Sequence, residues 1–381
     1  MREDVAKKLG ARSAWDDEET GLVKVLLTGG AFNSGGISTL ADSEGNLITD
    51  LQFDYLADSS CGLFLVHVPG GKYGYVNVSG TFEFEPVYES AERFSDDHAW
   101  VNRDGRLLIL CRDGTEIEPE ALPDGLSYAR VEDFHEGRAR FSTVHMGGFW
   151  GFASLAYHHD DAENAGIWGY VDTSGKIIVP PKYIFAEDYI NGLAIVCEGE
   201  WTAGDRWNNR FNSGRYWSEK MLWGAIDRDG RVAIPCKFDE FKWRQWDSEW
   251  SFSEITKKYL AACDENRRWG LVDLHGNWVV SPKFGDIGYE MDVSPDCDMF
   301  VFYRRAIWGG GDPDMVPCGI YSISRQRVVV PAEKYVEIEF VDNDTITVRE
   351  TANGEEMSIR LSSLPACEEG VLYEEWQEGM P

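Results

Sequence analysis

Hydrophobic positions along this chain fall in short runs rich in β-branched and aromatic residues, broken by polar turns. The clearest stretch is Trp168–Val196, WGYVDTSGKIIVPPKYIFAEDYINGLAIV. Its runs GYV, KIIV and GLAIV each read as a strand. The same order returns in WGAIDRDGRVAIPCKF (223–238), WGLVDLHGNWVVSPKF (269–284) and YGYVNVSGTFEFEPVY (73–88). Each copy turns on a glycine: Gly175, Gly230, Gly276 or Gly80. Three residues earlier stands Asp172, Asp227, Asp273 or Asn77. An Asp or Asn opening a short turn, with Gly where φ must be positive, predicts a tight hairpin closed by a glycine bulge.

A Trp-Gly or Tyr-Gly pair opens each copy. Its ring is a large apolar anchor, and its glycine lets backbone approach closely. Pro86, Pro180 with Pro181, Pro235 and Pro282 follow the second run, where a residue with no N–H ends a strand or marks a sheet edge. An aromatic residue recurs eight positions past the turn glycine, at Tyr88, Tyr183, Phe238 and Phe284. The unit reads as a three-strand meander that buries its aromatic face only by stacking on its neighbours.

Weaker copies extend the array. Gly45 and Gly114 centre two of them, with Ser38-Thr39 and Leu107-Leu108 in place of the Trp-Gly pair and Cys111 in place of the turn Asp. A seventh has Cys318-Gly319 and Pro331, but Arg325 at the turn position. The first two intervals between turn positions are 35 and 34 residues and the later ones run from 46 to 61. The extra chain gathers in two large insertions, 146–167 and 198–222. The expected layout is a charged lead-in at 1–20, a repeat array at 21–361 and an acidic tail at 362–381. The expected fold is all-β: an open, curved β-array of about seven units, with a closed propeller-like ring as the alternative.

The array of Trp-Gly copies resembles the bacterial WG β-repeat family. The resemblance implies a scaffold and a bacterial source. It implies no reaction and brings no functional residues.

Composition narrows the function. The net charge is −30 and aromatic residues make up 13% of the chain. So acidic a chain speaks against binding phosphate backbones or anionic membranes, and permits a basic protein partner. No run approaches a membrane-spanning length, and the N-terminal residues lack the apolar core of a signal peptide, so a cytoplasmic location is expected. The eight cysteines show no C-x-x-C pair and no fixed repeat position, which suits reduced thiols and no zinc site.

The chemistry-bearing residues lie in the insertions. Trp201, Trp207, Phe211, Tyr216 and Trp217, interleaved with Asp205 and Arg206, suit a protein-contact surface or a sugar-stacking cleft. His158, Asp160 and Asp161 suit a solvated or partner-facing polar loop. Adjacent His158 and His159 point apart and fit one metal poorly. Trp243, Trp246 and Trp250 share helical spacing and suit packing. Asp172, Asp227 and Asp273 are explained by their turns. The glycines at 309–311 lack the strand-then-helix context of a phosphate loop. No motif requires a cofactor or marks a catalytic centre. The leading expectation is a non-enzymatic protein-binding scaffold, in concrete form an immunity or inhibitor protein holding a basic partner. A carbohydrate or small-ligand binder is the alternative, and an enzyme with a site assembled across repeats is the third.

Overall fold

The computed structural model describes residues 1–29, 36–123, 126–145, 167–199, 221–242, 258–287, 293–305, 316–351, 353–367 and 370–374. Among these residues the regular structure is β-strand, apart from one helix, Glu3–Leu9, and a 3-10 turn at Leu361–Ser363. The described strands form eight small antiparallel sheets, each of three or four strands and none closed into a barrel. The all-β array expected from the repeats is therefore present. The chain divides into two compact units, Met1–Lys182 with Ala186–Gly192, and Tyr183–Phe185 with Leu193–Pro381. In the first, Ser13–Asp16 of the expected lead-in pairs with Val23–Thr28 as part of the first sheet.

The turns follow from their residues. Asp172 Oδ1 accepts the backbone N–H groups of Ser174 and Lys176 at 2.9 and 3.0 Å. The N–H of Gly175 donates to Asp172 O at 2.9 Å. Asp227 and Asp273 repeat this geometry. Where Cys111 replaces the Asp, the carboxylate of Asp113 takes over and accepts from Thr115 N at 2.9 Å. The seventh copy also forms a hairpin, between the strands Cys318–Ser322 and Arg327–Tyr335, with Ser322 paired to Arg327. Its turn is one residue longer, so the left-handed residue is Gln326 (φ +49°), not Arg325.

One expectation is corrected. The strand after the aromatic residue does not complete its own copy's meander. Arg138–His145 pairs instead with the strand of the next Trp-Gly pair, Ser142 opposite Trp168. Tyr259–Cys263 likewise pairs with the Trp269 strand. The reason is the proline. Pro86, Pro235 and Pro282 lie inside their strands, Phe82–Tyr88, Val232–Phe238 and Trp278–Phe284. A strand lacking that N–H donor suits a sheet edge. The following strand therefore starts a new sheet, and short strands such as Ser90–Ala91 and Glu240–Lys242 make the fourth member on its other side.

The glycine of the Trp-Gly pair sits beneath a bulge in this edge strand. A Cβ on Gly270 would fall 2.5 Å from Val280 O and 2.9 Å from Pro282 N. The turn glycine does a second job at Gly80, Gly175 and Gly276, where it seats its copy on the one before. A Cβ on Gly276 would meet Ile234 Cγ2 at 2.8 Å. In the seventh copy the Gln326 side chain makes the same connection by donating to Val279 O at 3.3 Å.

Packing is between neighbours, as stacking repeats require. One core joins Tyr75 and Tyr88 of the second sheet to Phe94 and Leu108 of the third. The next joins Trp100 and Ile109 to Phe141 and Val171. In the second unit Trp269 and Phe284 share a core with Phe300, Phe302 and Tyr321. Trp223 and Trp269 are buried, and Tyr73 and Trp168 are half-buried. The cysteines correct a second expectation. Cys197 and Cys263 hold one register position, each opposite the Trp of its sheet. A small side chain there leaves room for the indole.

Candidate binding site

The residues singled out in the insertions, Trp201, Asp205, Trp207, Phe211, Tyr216, Trp217, His158, Asp160 and Asp161, lie outside the described residues. So do Trp243, Trp246 and Trp250.

Within the first unit, a different set of residues comes together. In three successive sheets, the outermost strand and the turn after it carry a small or branched residue, a glutamate, a charged residue and a ring. The copies are Ala91-Glu92-Arg93-Phe94, Val131-Glu132-Asp133-Phe134 and Ala186-Glu187-Asp188-Tyr189. The rings Phe94, Phe134 and Tyr189 are buried. That anchors one end of each stretch in the core.

The glutamate backbone is then fixed in the same way three times. Tyr75 Oη donates to Glu92 O at 2.6 Å, Trp100 Nε1 to Glu132 O at 2.9 Å and Tyr170 Oη to Glu187 O at 2.8 Å. Successive stretches are also stitched to each other. Phe134 N donates to Ser95 Oγ at 2.6 Å, Gly137 N to Asp96 Oδ2 at 2.7 Å and Gly192 N to Glu136 Oε2 at 2.9 Å. These bonds hold the acidic side chains in register from copy to copy.

The result is a row of five carboxylates, Glu92, Glu132, Asp133, Glu187 and Asp188, accompanied by three guanidiniums, Arg93, Arg130 and Arg140. Arg140 neutralises one end. Its Nε lies 2.9 Å from Asp188 Oδ1 and its Nη1 3.3 Å from Glu187 Oε2. Its guanidinium carbon stands 5.2 Å from the centre of the Trp168 ring. Burial works against the Arg140 charge, but Asp188, Glu187 and Glu132 outweigh it and raise its pKa. His135 Nε2 approaches Asp188 Oδ2 at 3.6 Å.

At the other end Arg130 Nε pairs with Glu132 Oε1, and Glu92 and Asp133 are less compensated. Burial raises the Asp133 carboxyl above its ordinary value and the charge of Asp188 adds to this, with Arg93 and His135 opposing. Glu92 is raised by crowding protein first and then by Asp133 and Glu132. Yet Glu92 stays exposed to water, so solvent screens these effects and its charge remains available to a partner. Like charges drawn together in partial burial store repulsion that a cation would relieve.

Among the described residues no group of three or more His, Cys, Asp or Glu side chains is placed to hold a metal ion. One His–carboxylate pair has a structural explanation: His67 Nδ1 lies 2.6 Å from Asp54 Oδ1. His67 stands opposite Tyr73, the register position held by Ser142, Cys197 and Cys263 opposite their tryptophans. Its ring packs on Tyr73 at 4.6 Å between centroids. The pair is a local packing solution at a position that varies from copy to copy.

The acidic row was within reach of the sequence. The small–Glu–charged–ring pattern occurs three times, but the Trp-Gly pair and its turn dominate the alignment and the pattern falls between them.

No curated protein matches the chain in sequence. Among solved structures, a eukaryotic initiation factor is similar at 11% identity and a TM-score of 0.41, over 94% of this chain and 87% of that one. The extracellular domain of a hybrid two-component system of B. thetaiotaomicron reaches 10% identity and a TM-score of 0.22, over 91% and 64%. At these scores the likenesses carry no argument. The family described as WG containing repeat matches residues 73–106, 168–200, 223–242 and 269–290. Those matches fall on the copies whose glycines, turns and edge prolines build the sheets above, and the chain belongs to the WG-repeat family.

Proposed function

We propose that this WG-repeat scaffold is a non-enzymatic binding protein whose first unit holds a basic partner protein. The observation that carries the reading is the row Glu92, Glu132, Asp133, Glu187 and Asp188, kept in register by repeated backbone bonds and only partly neutralised by Arg93, Arg130 and Arg140. A net charge of −30 adds long-range attraction for a cationic partner and speeds its encounter. A cation entering the row gains from the repulsion between Asp133 and its neighbours. A cytoplasmic inhibitor or immunity protein that neutralises a basic toxin is the concrete form this reading takes.

The test is capture of partners from the native host at low and at high salt, followed by affinity measurements with Glu92→Gln/Asp133→Asn. The expected result is a basic protein held at low salt, weakened at high salt, and bound about tenfold or more weakly by the variant. Binding that ignores both salt and the two substitutions would remove the reading.

A further inference from the structure

The last described stretch, residues 370–374, belongs to the acidic C-terminal segment. It runs along the second unit beside Gly285 and Arg304. Gly285 N donates to Leu372 O at 3.1 Å, and Glu374 N donates to Arg304 O at 2.7 Å. These two bonds, one accepted from Gly285 and one donated to Arg304, tie the backbone of the segment to the ends of two strands, Trp278–Phe284 and Met299–Tyr303. Three successive side chains are read at the same time. Leu372 packs against the core around Phe284, Phe300 and Tyr321. Tyr373 lies under Arg268, whose guanidinium carbon is 4.9 Å from the ring centre. The carboxylate of Glu374 is 3.2 Å from Arg304 Nε.

We propose that this is a peptide-docking slot, filled in cis by the chain's own C-terminal segment, and that its second occupant is an extended apolar–aromatic–acidic segment of a partner protein. The recognition is local and general. Two backbone bonds set the direction of the peptide. An apolar pocket, a cation above a ring and a cation beside a carboxylate then read the successive side chains, in the order Leu, Tyr, Glu. A tethered segment competes at a high effective concentration, so a partner gains access only by matching this chemistry closely or by binding elsewhere on the chain as well. The slot lies in the second unit and prefers an acidic segment, so it is independent of the acidic row of the first unit and its preferred cation.

The experiment uses the full chain and a fluorescent peptide of residues 370–374, Gly-Val-Leu-Tyr-Glu. Leu372→Ala/Glu374→Arg releases the tail and leaves the slot unaltered. The released variant is expected to bind the peptide at least about tenfold more tightly than the unaltered chain. It should also expose Cys367, which packs on the same core as Leu372, to a thiol reagent. Adding Arg304→Glu to that variant should abolish binding of the peptide and restore protection of Cys367, because the Arg introduced at 374 regains an opposite charge. That reversal separates a docking slot from general damage to the fold. A folded, released variant that does not bind the peptide would overturn the proposal. Equal binding by the unaltered chain would also overturn it, since the tail would then not fill the slot. Concentration-dependent dimers of the unaltered chain would assign the slot to the tail of a second copy and overturn the partner reading.

Discussion

The two units build the same sheet with different interiors. In the first unit, the residue two past the opening aromatic of the Trp-Gly or Tyr-Gly pair is Tyr75 or Tyr170, and its hydroxyl holds the carbonyl of Glu92 or Glu187. In the second unit the same position is Ala225 or Leu271, both buried in apolar cores. Arg140 stands opposite Tyr170, and its counterpart opposite Leu271 is Ala261. Val131, ahead of Glu132, corresponds to Phe241, which packs on Phe238 with ring centres 4.9 Å apart. The backbone is set by the glycines, the turn Asp and the edge proline. The remaining positions are free to carry charge in one unit and rings and thiols in the other.

This contrast is broken most strongly at Arg140. Arg140→Ala leaves Asp188 and Glu187 partly buried without their guanidinium, and should destabilise the first unit by about 3–5 kcal/mol. Ala at the corresponding position 261 is already the native residue of the second unit. Urea unfolding followed by far-UV circular dichroism should show the first unit's transition move and the second's stay. Trp269→Ala is the reciprocal test, with a cost of about 3–5 kcal/mol confined to the second unit.

A smaller effect sharpens the polar latch. Tyr170→Phe leaves the Glu187 carbonyl without its donor and should cost about 1–1.5 kcal/mol in the same measurement. The backbone turn is common to both units. Asp227→Ala and Asp172→Ala should therefore each cost about 1 kcal/mol, as loss of the bonds to two backbone N–H groups implies.

The pH dependence distinguishes two acids within the first unit. Asp133 is raised above its ordinary value, so the folded state holds its proton more tightly than the unfolded chain. Its penalty is absent in acid below the unfolded pKa of about 4 and grows as pH rises through the folded pKa. Asp133→Asn should thus stabilise the first unit at neutral pH, with the gain fading in acid. Asp17 is the opposite case. Its burial alone would raise it, but bonds from Ser59 and Thr20 more than offset this and lower its pKa. Its contribution is present above about pH 4 and is lost as pH falls through the folded value. Asp17→Asn should therefore destabilise at neutral pH and matter little in acid. Thermal melts across that range read both signs.

The contrast also explains what the sequence revealed. The hairpins, the edge prolines and the buried indoles were legible, because Gly, Pro and Asp constrain the backbone locally. The sheet boundaries were not. The partner of Arg138–His145 is decided by which neighbouring edge keeps its N–H groups, a property of two copies rather than one. The shared register of Cys197 and Cys263 was hidden because the insertions shift their spacing in sequence. The seventh hairpin was obscured by one extra residue that moves the left-handed position to Gln326. The acidic row was hidden for a related reason: its stretches fall between the Trp-Gly hairpins, and their charges meet only when copies stack.

The most direct test of the account compares two ways of removing the same charge. The affinity of the captured basic partner is measured by calorimetry for Glu92→Gln/Asp133→Asn and for Asp229→Asn/Glu265→Gln, a pair on exposed turns of the second unit. The expected loss is about tenfold or more for the first variant and less than about twofold for the second. Equal losses would mean that the partner senses only net charge, and would contradict a binding role for the row.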